Sequence, residues 1–428
     1  MTHATPRGRT VCIVGAGIVG AATAYALARE GWQVTLVDAR PAPGLGESRA
    51  NGAQLSYSYV EPLATPAALR ALPGWLLSDD SPLRWRPRPE AAHLRWLAAF
   101  VAACRWSEVR RTTAALLALS GLSRTTLQRW LAEQPGIAGA ALHRQPGKLV
   151  LYRDAAARAA VERQLAWQRA LGCTQRVVNA DECRALEPAL GASAAAGGGP
   201  IAFGVWTADE EVIDASLLAQ ALVDASGATR CFGSPALGFE LRGGRVVALR
   251  LAGRTLEADQ FVLAAGPACA ELLQPLGWAP AIEPIRGYSI TLPVVDAAVA
   301  PRASVTDQGR KLVYARLGEQ LRVAGFAELC GLDRRIDPRR IAALCDAVRE
   351  TFPGACRFVD PQPWAGLRPA TPGGRPLVGA TRWPGLWLNA GHGALGLTLA
   401  GGSAALITDL MSGRHAAIET RPFSVEPA

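Results

Sequence analysis

The clearest pattern of apolar and polar positions lies in residues 11–38, VCIVGAGIVGAATAYALAREGWQVTLVD. Residues 11–14 form an apolar run of strand length, and the Ala-rich stretch 21–30 has the composition of a helix. Residues 34–37 read as a second strand, ending on Asp38. Farther on, the spacing predicts a helix over 216–225, capped by Asp214 or Ser216, and strands near 228–232, 236–241, 245–251 and 255–264. Within the last, 261–264 reads as a buried strand, and Gly266 turns the chain after it. Two regions differ. Residues 64–211 predict helices over 90–104, 111–133 and 155–171, and 276–363 carries period-two strands such as 285–292, 311–316 and 320–326. The expected fold class is α/β. A doubly wound, Rossmann-like domain is assembled from 1–63, 212–275 and 364–428. A second domain, from 64–211 and 276–363, has an antiparallel sheet with helices.

Composition refines this picture. A chain of 428 residues, 50% hydrophobic and 19% charged, can bury two substantial cores. Its net charge is +9, yet the positive residues are dispersed among acids, which argues against a nucleic-acid partner and leaves room for attraction to an anionic membrane or an acidic substrate. Of 45 cations only Lys148 and Lys311 are lysines, a skew that resembles coding bias. The 9 cysteines form no C-x-x-C pair and no metal spacing, so we expect reduced thiols in a reducing, cytoplasmic compartment and no metal.

Three segments imitate other things. Arg7 and Arg9 before the uncharged run 10–28 look like a signal peptide, but cleavage would destroy the glycine turn, so residues 1–10 read as a disordered lead. The uncharged stretch 386–408 is long enough to span a bilayer, but its Asn389, His392 and glycines suit a loop and a buried helix, and no transmembrane span is expected. Residues 85–106, with Trp96, Arg95 and Arg105, suit either an amphipathic membrane-surface helix or a buried domain helix. An Ala/Gly-rich loop is expected at 191–199.

The chemistry begins with Gly15, Gly17 and Gly20, spaced G-x-G-x-x-G between strand and helix. Gly15 makes the turn, Gly17 lets the backbone approach a pyrophosphate, and Gly20 lets helix pack on strand. The N–H groups around Ile18 and Val19 would face the phosphates. Asp38 can accept hydrogen bonds from a ribose, flanked by Ala39 and Arg40. Were the coenzyme NADP, Arg40 could hold its 2′-phosphate, but Asp38 beside it argues against that.

Near the other end stand Gly366-Leu367-Arg368-Pro369 and Leu388-Asn389-Ala390-Gly391-His392-Gly393, with Arg286-Gly287-Tyr288-Ser289 between. Together with the glycine turn, and in this order over almost the whole length, these motifs resemble the D-amino-acid oxidase superfamily of flavoproteins. Within it they are most similar to the small-subunit type of bacterial D-amino-acid dehydrogenase. The resemblance implies FAD as cofactor. It implies that Gly391, His392 and Gly393, with Gly396, Leu397 and Thr398, pass the isoalloxazine ring, where a helix N-terminus faces the pyrimidine side. Ser48, Asn51, Gly52 and Gln54 resemble the loop that wraps the flavin and its ribityl chain. Ala236, Ala265 and Gly266 would complete the nucleotide site, and Arg286 could contact the flavin or only protein.

By the same resemblance Arg368 binds a substrate carboxylate, which a guanidinium grips bidentately. Tyr57, Tyr59 and Tyr288 could bring hydroxyls to the substrate. His392 invites a general-base reading, although a loop histidine packed beside the flavin suits it better. The implied activity is oxidative deamination of D-amino acids to 2-oxo acids and ammonia, by hydride transfer from Cα to flavin N5. Electrons would pass to a quinone or another non-oxygen acceptor, with peripheral contact to the inner face of the cytoplasmic membrane. Ser56-Tyr57-Ser58-Tyr59 and Leu397 depart from the Ser-Pro-Gly-Tyr and tryptophan of D-alanine-degrading members, which leaves the preferred side chain and amine class open. Open alternatives are a peroxide-forming oxidase of the glycine or sarcosine type, a dehydrogenase of a cyclic D-imino acid, the oxidoreductase part of a tRNA-modifying protein, and a non-catalytic FAD-binding subunit. Oligomeric state is not legible.

Overall fold

The computed structural model describes residues 9–77, 81–86, 88–191 and 199–425. Residues 1–8 of the expected lead and 192–198 of the expected Ala/Gly-rich loop lie outside the described residues, while Thr10 already opens the first strand, Thr10–Val14.

That strand lies in a six-stranded sheet. Gln33–Val37 and Thr229–Cys231 extend it on one side, and Gln260–Leu263, Leu386–Ala390 and Leu377–Ala380 on the other; every pairing is parallel except the last. Parallel neighbours need crossovers, and the helix Ile18–Arg29 supplies the first. Gly20 sets how close it comes: a Cβ there would sit 1.8 Å from the Gly15 carbonyl oxygen. The helix Ala215–Ser226 is capped by Asp214, whose carboxylate accepts the N–H groups of Ser216 and Leu217; such a cap is worth about 1 kcal/mol. The expected strand 255–264 is two strands. Arg254–Glu257 belongs to a three-stranded antiparallel sheet, and the chain turns before Gln260 joins the parallel one.

The second sheet has nine strands and is mostly antiparallel. Its long central members, Glu283–Pro293 and Gln320–Leu329, alternate between two faces. Tyr288, Ile290 and Leu292 enter a core with Phe352 and Val348, while Ser289 on the other face donates to the Ala50 carbonyl at 2.6 Å. On sheet membership Trp364–Ala370 belongs here, paired with Glu283–Pro293, and not with the nucleotide-binding piece 364–428. A strand with one apolar face pairs with whichever edge is free, and the sequence does not name that edge.

The helix Gly396–Met411, within the one described segment long and apolar enough to cross a membrane, Gly393–Met411, is packed inside the protein. It contacts Ile18–Arg29 on one side and the 28-residue helix Trp106–Glu133 on another. Gly401 and Gly402 allow that second crossing, since a Cβ at Gly402 would meet the Leu119 carbonyl oxygen at 2.4 Å. Leu116, Leu119, Leu127 and Trp130 thereby join the same core as Val11, Ile13 and Leu36, although the sequence pattern grouped Trp106–Glu133 with the other domain.

Candidate active site

A cavity of about 1330 Å³ runs between the two sheets. That exceeds the ~300–1,000 Å³ of an ordinary ligand pocket, as a dinucleotide plus a small substrate requires.

At one end lies the glycine turn. Gly15 has φ 107°, and a Cβ on it would be 2.5 Å from the Ala264 carbonyl oxygen, so only glycine fits. Gly17 is the N-cap of Ile18–Arg29 and provides no side-chain cap, so the first N–H groups remain available except that of Ile18, which donates to Ser48 Oγ at 2.9 Å. Asp38 accepts the N–H of Ala16 at 2.6 Å and of Arg40 at 2.8 Å, which fixes the carboxylate at the cavity wall. A turn without side chains, a helix start and an anchored carboxylate fit the phosphates and ribose of a dinucleotide.

Arg368 stands on another part of the wall. Its strand pairs Arg368 with Ile285 and Gly366 with Gly287, so these share a face with Trp364 and Ser289. The guanidinium lies over Gly287, where a Cβ would come within 2.2 Å of Nη2. A β-bulge helps place it. Opposite Gly287 the partner strand inserts an extra residue, Phe326 takes φ 60°, and its carbonyl oxygen accepts from Arg368 Nη1 at 2.6 Å. Gly325 O is a second, longer acceptor at 3.5 Å. Among the described residues no carboxylate pairs with Arg368, and burial pulls the guanidinium down to about 10.

Most residues singled out by sequence line this cavity, but Gly20, Tyr57 and Arg286 do not. Gly20 acts through packing, as expected of the third glycine. Arg286 is committed elsewhere. It is buried, with Nη2 2.6 Å from Glu328 and Nη1 3.0 Å from Asp333, which favours the protein-contact side of the two readings. Tyr288 follows it by two residues and so shares its face. Its ring borders the cavity, but its hydroxyl donates to Glu328 Oε2 at 2.9 Å. Burial disfavours the Glu328 anion, yet hydrogen bonds from Arg286, Tyr288 and Arg340 hold it below the usual carboxylate range. Tyr57 points into the hydrophobic core, because its backbone is pinned by Glu210, which accepts its N–H at 2.7 Å, and by Ser120, which donates to its carbonyl. Tyr59 does face the cavity and donates to Gln308 Oε1 at 2.5 Å.

His392 lies between Gly391 (φ 82°) and Gly393 (φ 56°), at the turn into Gly396–Met411. It is buried, and burial pushes its imidazole down to about 3, so it is neutral at any working pH. Neutrality of that depth argues against the general-base reading.

Two residues were missed. Glu47 accepts the Leu367 N–H and pairs with Arg334 at 2.5 Å, which ties the nucleotide loop to the arginine strand. Lys148 projects into the cavity with Nζ 2.6 Å from Ser56 Oγ, 3.1 Å from Gln54 Oε1 and 4.5 Å from the Tyr59 ring centre. Its rarity in an arginine-rich chain was the available signal.

Comparison with known proteins agrees with this geometry. The chain is 48% identical over 427 residues to D-amino acid dehydrogenase 2 of Ralstonia nicotianae, covering 97% of this chain and 99% of that one. It is 47% identical to D-amino acid dehydrogenase 2 of Pseudomonas aeruginosa, covering 96% of each. Glycine oxidase from Geobacillus kaustophilus superposes with a TM-score of 0.75 over 98% of this chain and 99% of that one, at 19% identity, which speaks for the fold alone. The sequence model of the FAD-dependent oxidoreductase (DAO) family matches residues 10–410, the span that carries both sheets and every wall of the cavity. A family model that spans nearly the whole chain, with relatives at 47–48% identity over nearly their full length, settles the assignment: the chain belongs to the DAO family of FAD-dependent oxidoreductases.

Proposed function

We propose that this enzyme is a dehydrogenase of D-amino acids and that Arg368 binds their carboxylate. The observation that carries the reading is the half-buried guanidinium in the cavity wall, without an anionic partner. A cation drawn partly out of water is stabilised by an anion, and Arg368 has only backbone carbonyls for partners among the described residues. A substrate carboxylate completes it with two charge-assisted hydrogen bonds. The relatives named D-amino acid dehydrogenase support the substrate class.

FAD, when bound, supplies a two-electron acceptor. The protein contributes the rest. Gly15, Gly17 and Asp38 would hold the nucleotide, and the loop of Ser48, Asn51, Gly52 and Gln54 with the turn of Gly391, Gly393 and Gly396 would flank the flavin. Leu397, Thr398, Ala236, Ala265 and Gly266 line the same cavity and complete that assignment. Arg368 orients the Cα–H bond by fixing the carboxylate, and the cavity walls limit water. Most of the rate would come from such positioning. The imino acid product hydrolyses to a 2-oxo acid and ammonia.

The electrons are proposed to leave to a quinone or another acceptor than oxygen, at the inner face of the cytoplasmic membrane. Supporting this is the outer face of Ala91–Ala103, where Leu94 and Val101 are exposed, followed by Trp106 at 60% exposure, with Arg95 and Arg105 next to Leu94 and Trp106 in the chain. Its inner face, His93, Trp96 and Phe100, is buried. Co-sedimentation with vesicles containing anionic lipid should fall on Trp106→Ser, and unchanged binding would remove this face from the role.

The test of the activity is anaerobic absorbance titration of the FAD-loaded protein with matched D- and L-amino acids. Bleaching by D-isomers alone is expected, with slow recovery in air. Bleaching by L-isomers, or by none, overturns the assignment; rapid recovery with peroxide would identify an oxidase.

A further inference from the structure

On the sheet face that carries Arg368, the guanidinium stands at a boundary. Strand pairing puts Arg368, Ile285 and Leu329 in one row across the sheet. The next row holds Gly366 and Gly287 and, across the bulge, Ala327, which pairs with Leu83 of the short strand Leu83–Trp85. On the opposite side of the guanidinium, Ser289, Ala324 and Val313 form a row that belongs to the loop assigned to the flavin. Ser289 donates to the Ala50 carbonyl, and a Cβ on Gly52 would meet Val313 Cγ2 at 2.9 Å and Ala324 Cβ at 3.8 Å. One flank of the arginine is therefore taken by that loop, and the other is open cavity.

The open flank is apolar. The helix Ala91–Ala103 roofs it with Trp96 and Phe100, stacked at 5.2 Å between ring centres and packed in one cluster with Ile285, Ala327 and Ala68. These residues and Leu83 all line the cavity. Trp96 Nε1 donates to the Ala370 carbonyl at 2.8 Å, two residues from Arg368. Ala370 in turn bridges His392, and a Cβ on Gly393 would lie 4.0 Å from Ala370 Cβ. The roof, the arginine and the turn assigned to the flavin thus converge on one end of a strand.

We infer that this lobe receives the substrate side chain and selects branched and aromatic apolar D-amino acids, an inference that rests on the amino-acid reading of the site. In an amino acid Cα is bonded directly to the carboxylate carbon. A carboxylate held by Arg368 therefore starts the side chain beside the guanidinium, and the lobe is the flank left for it. An apolar side chain there replaces water by Ile285, Leu83, Trp96 and Phe100, a gain of about fourfold in binding for each methylene. A charged one would be desolvated without a partner. Glu283 shares the face of Ile285, yet it is buried off the cavity wall, where Arg88 and His93 already hold it. Arg334 is taken by Glu47. Lys311 lies past Gly325, on the flank of the flavin loop, with Glu61 as the opposite charge facing it.

The test is steady-state reduction of an artificial acceptor by the FAD-loaded wild type, Phe100→Ala and Ala68→Phe, with D-alanine, D-leucine, D-phenylalanine, D-glutamate and D-lysine. In wild type, kcat/KM for D-leucine or D-phenylalanine should exceed that for D-alanine by about tenfold or more, and that for the two charged substrates by roughly 10² or more. Phe100→Ala enlarges the lobe and should move the preference from D-leucine toward D-phenylalanine. Ala68→Phe fills it and should lower the ratio of D-leucine to D-alanine by about tenfold. Wild type that turns over D-alanine or D-lysine as well as D-leucine overturns the inference. D-glutamate as the best substrate would place the side chain toward Lys311 and overturn it too, as would ratios unmoved in both variants. Should the variants not fold, the wild-type panel decides alone. Wild type reduced by none of the five would instead defeat the parent reading.

Discussion

Replacing Arg368 by methionine separates substrate binding from stability, because the two should move in opposite directions. In the folded protein burial draws the guanidinium down to about 10 from its higher ordinary value, a cost on the order of 3 kcal/mol carried at every pH below 10. The cation is thus a net liability to the fold, one that begins to shrink only as pH rises past 10 and is gone once the unfolded state also loses the proton. Methionine fills similar volume without charge. It leaves the Phe326 carbonyl without its 2.6 Å donor, which costs about 1–3 kcal/mol. The sum is near zero or slightly stabilising, as for other buried charges replaced by apolar residues. Substrate binding should behave otherwise. Two charge-assisted hydrogen bonds at about 1.5–3 kcal/mol each correspond to a loss of roughly 10²–10⁴ in kcat/KM. The assays are thermal unfolding of the FAD-loaded protein and steady-state reduction of an artificial acceptor. A simple carboxylate such as benzoate should raise the melting temperature of wild type, by about 2.7 kcal/mol of stability at a hundred times its Kd, and not that of the variant. A variant that loses several kcal/mol of stability yet keeps kcat/KM would show that Arg368 serves the fold and not the substrate.

Two further outcomes follow from the same geometry. Gly287→Ala places a methyl 2.2 Å from Arg368 Nη2, so the guanidinium must move; KM should rise at least tenfold with a stability loss of about 1–3 kcal/mol, and unchanged KM would show that the arginine tolerates displacement. His392 binds its proton at about 3 when folded and near 6.5 when unfolded, so the unfolded state takes up more protons between these values. Stability is then full above pH 6.5 and falls by on the order of 4 kcal/mol as pH drops toward 3, a slope that His392→Asn should flatten in denaturant titrations at pH 4 and 7.

What could be read from the chain follows from how local each signal is. The glycine turn, its helix and Asp38 lie within 28 consecutive residues, and each glycine answers a constraint set by its immediate neighbours. Arg286 and Arg368 illustrate the limit. Both are arginines in strands with a glycine within two residues, and as sequence either could face a ligand. Period-two alternation says only that Arg286 and Tyr288 share a face. Pairing with Trp364–Ala370 puts Gly287 and Arg368 together on the other one, and the chain at Arg286 holds no record of that partner.

The remaining site residues depend on contacts between positions 42 to 249 residues apart. Tyr57 and Tyr59 are separated in role by Glu210 and Gln308, one pinning a backbone into the core and the other receiving a hydroxyl in the cavity. The bulge at Phe326 that supports Arg368 arises from register between strands. Lys148 reaches the cavity because its strand pairs with Ser304–Asp307, beside which Gln54 is held. By itself, then, the sequence determined the local chemistry: which segments turn, which helix start is bare, and which charges are available. Tertiary structure alone decided which charges are stripped of water and of partners. That depends on the whole surface folded around a group, and long-range strand pairing assembles that surface.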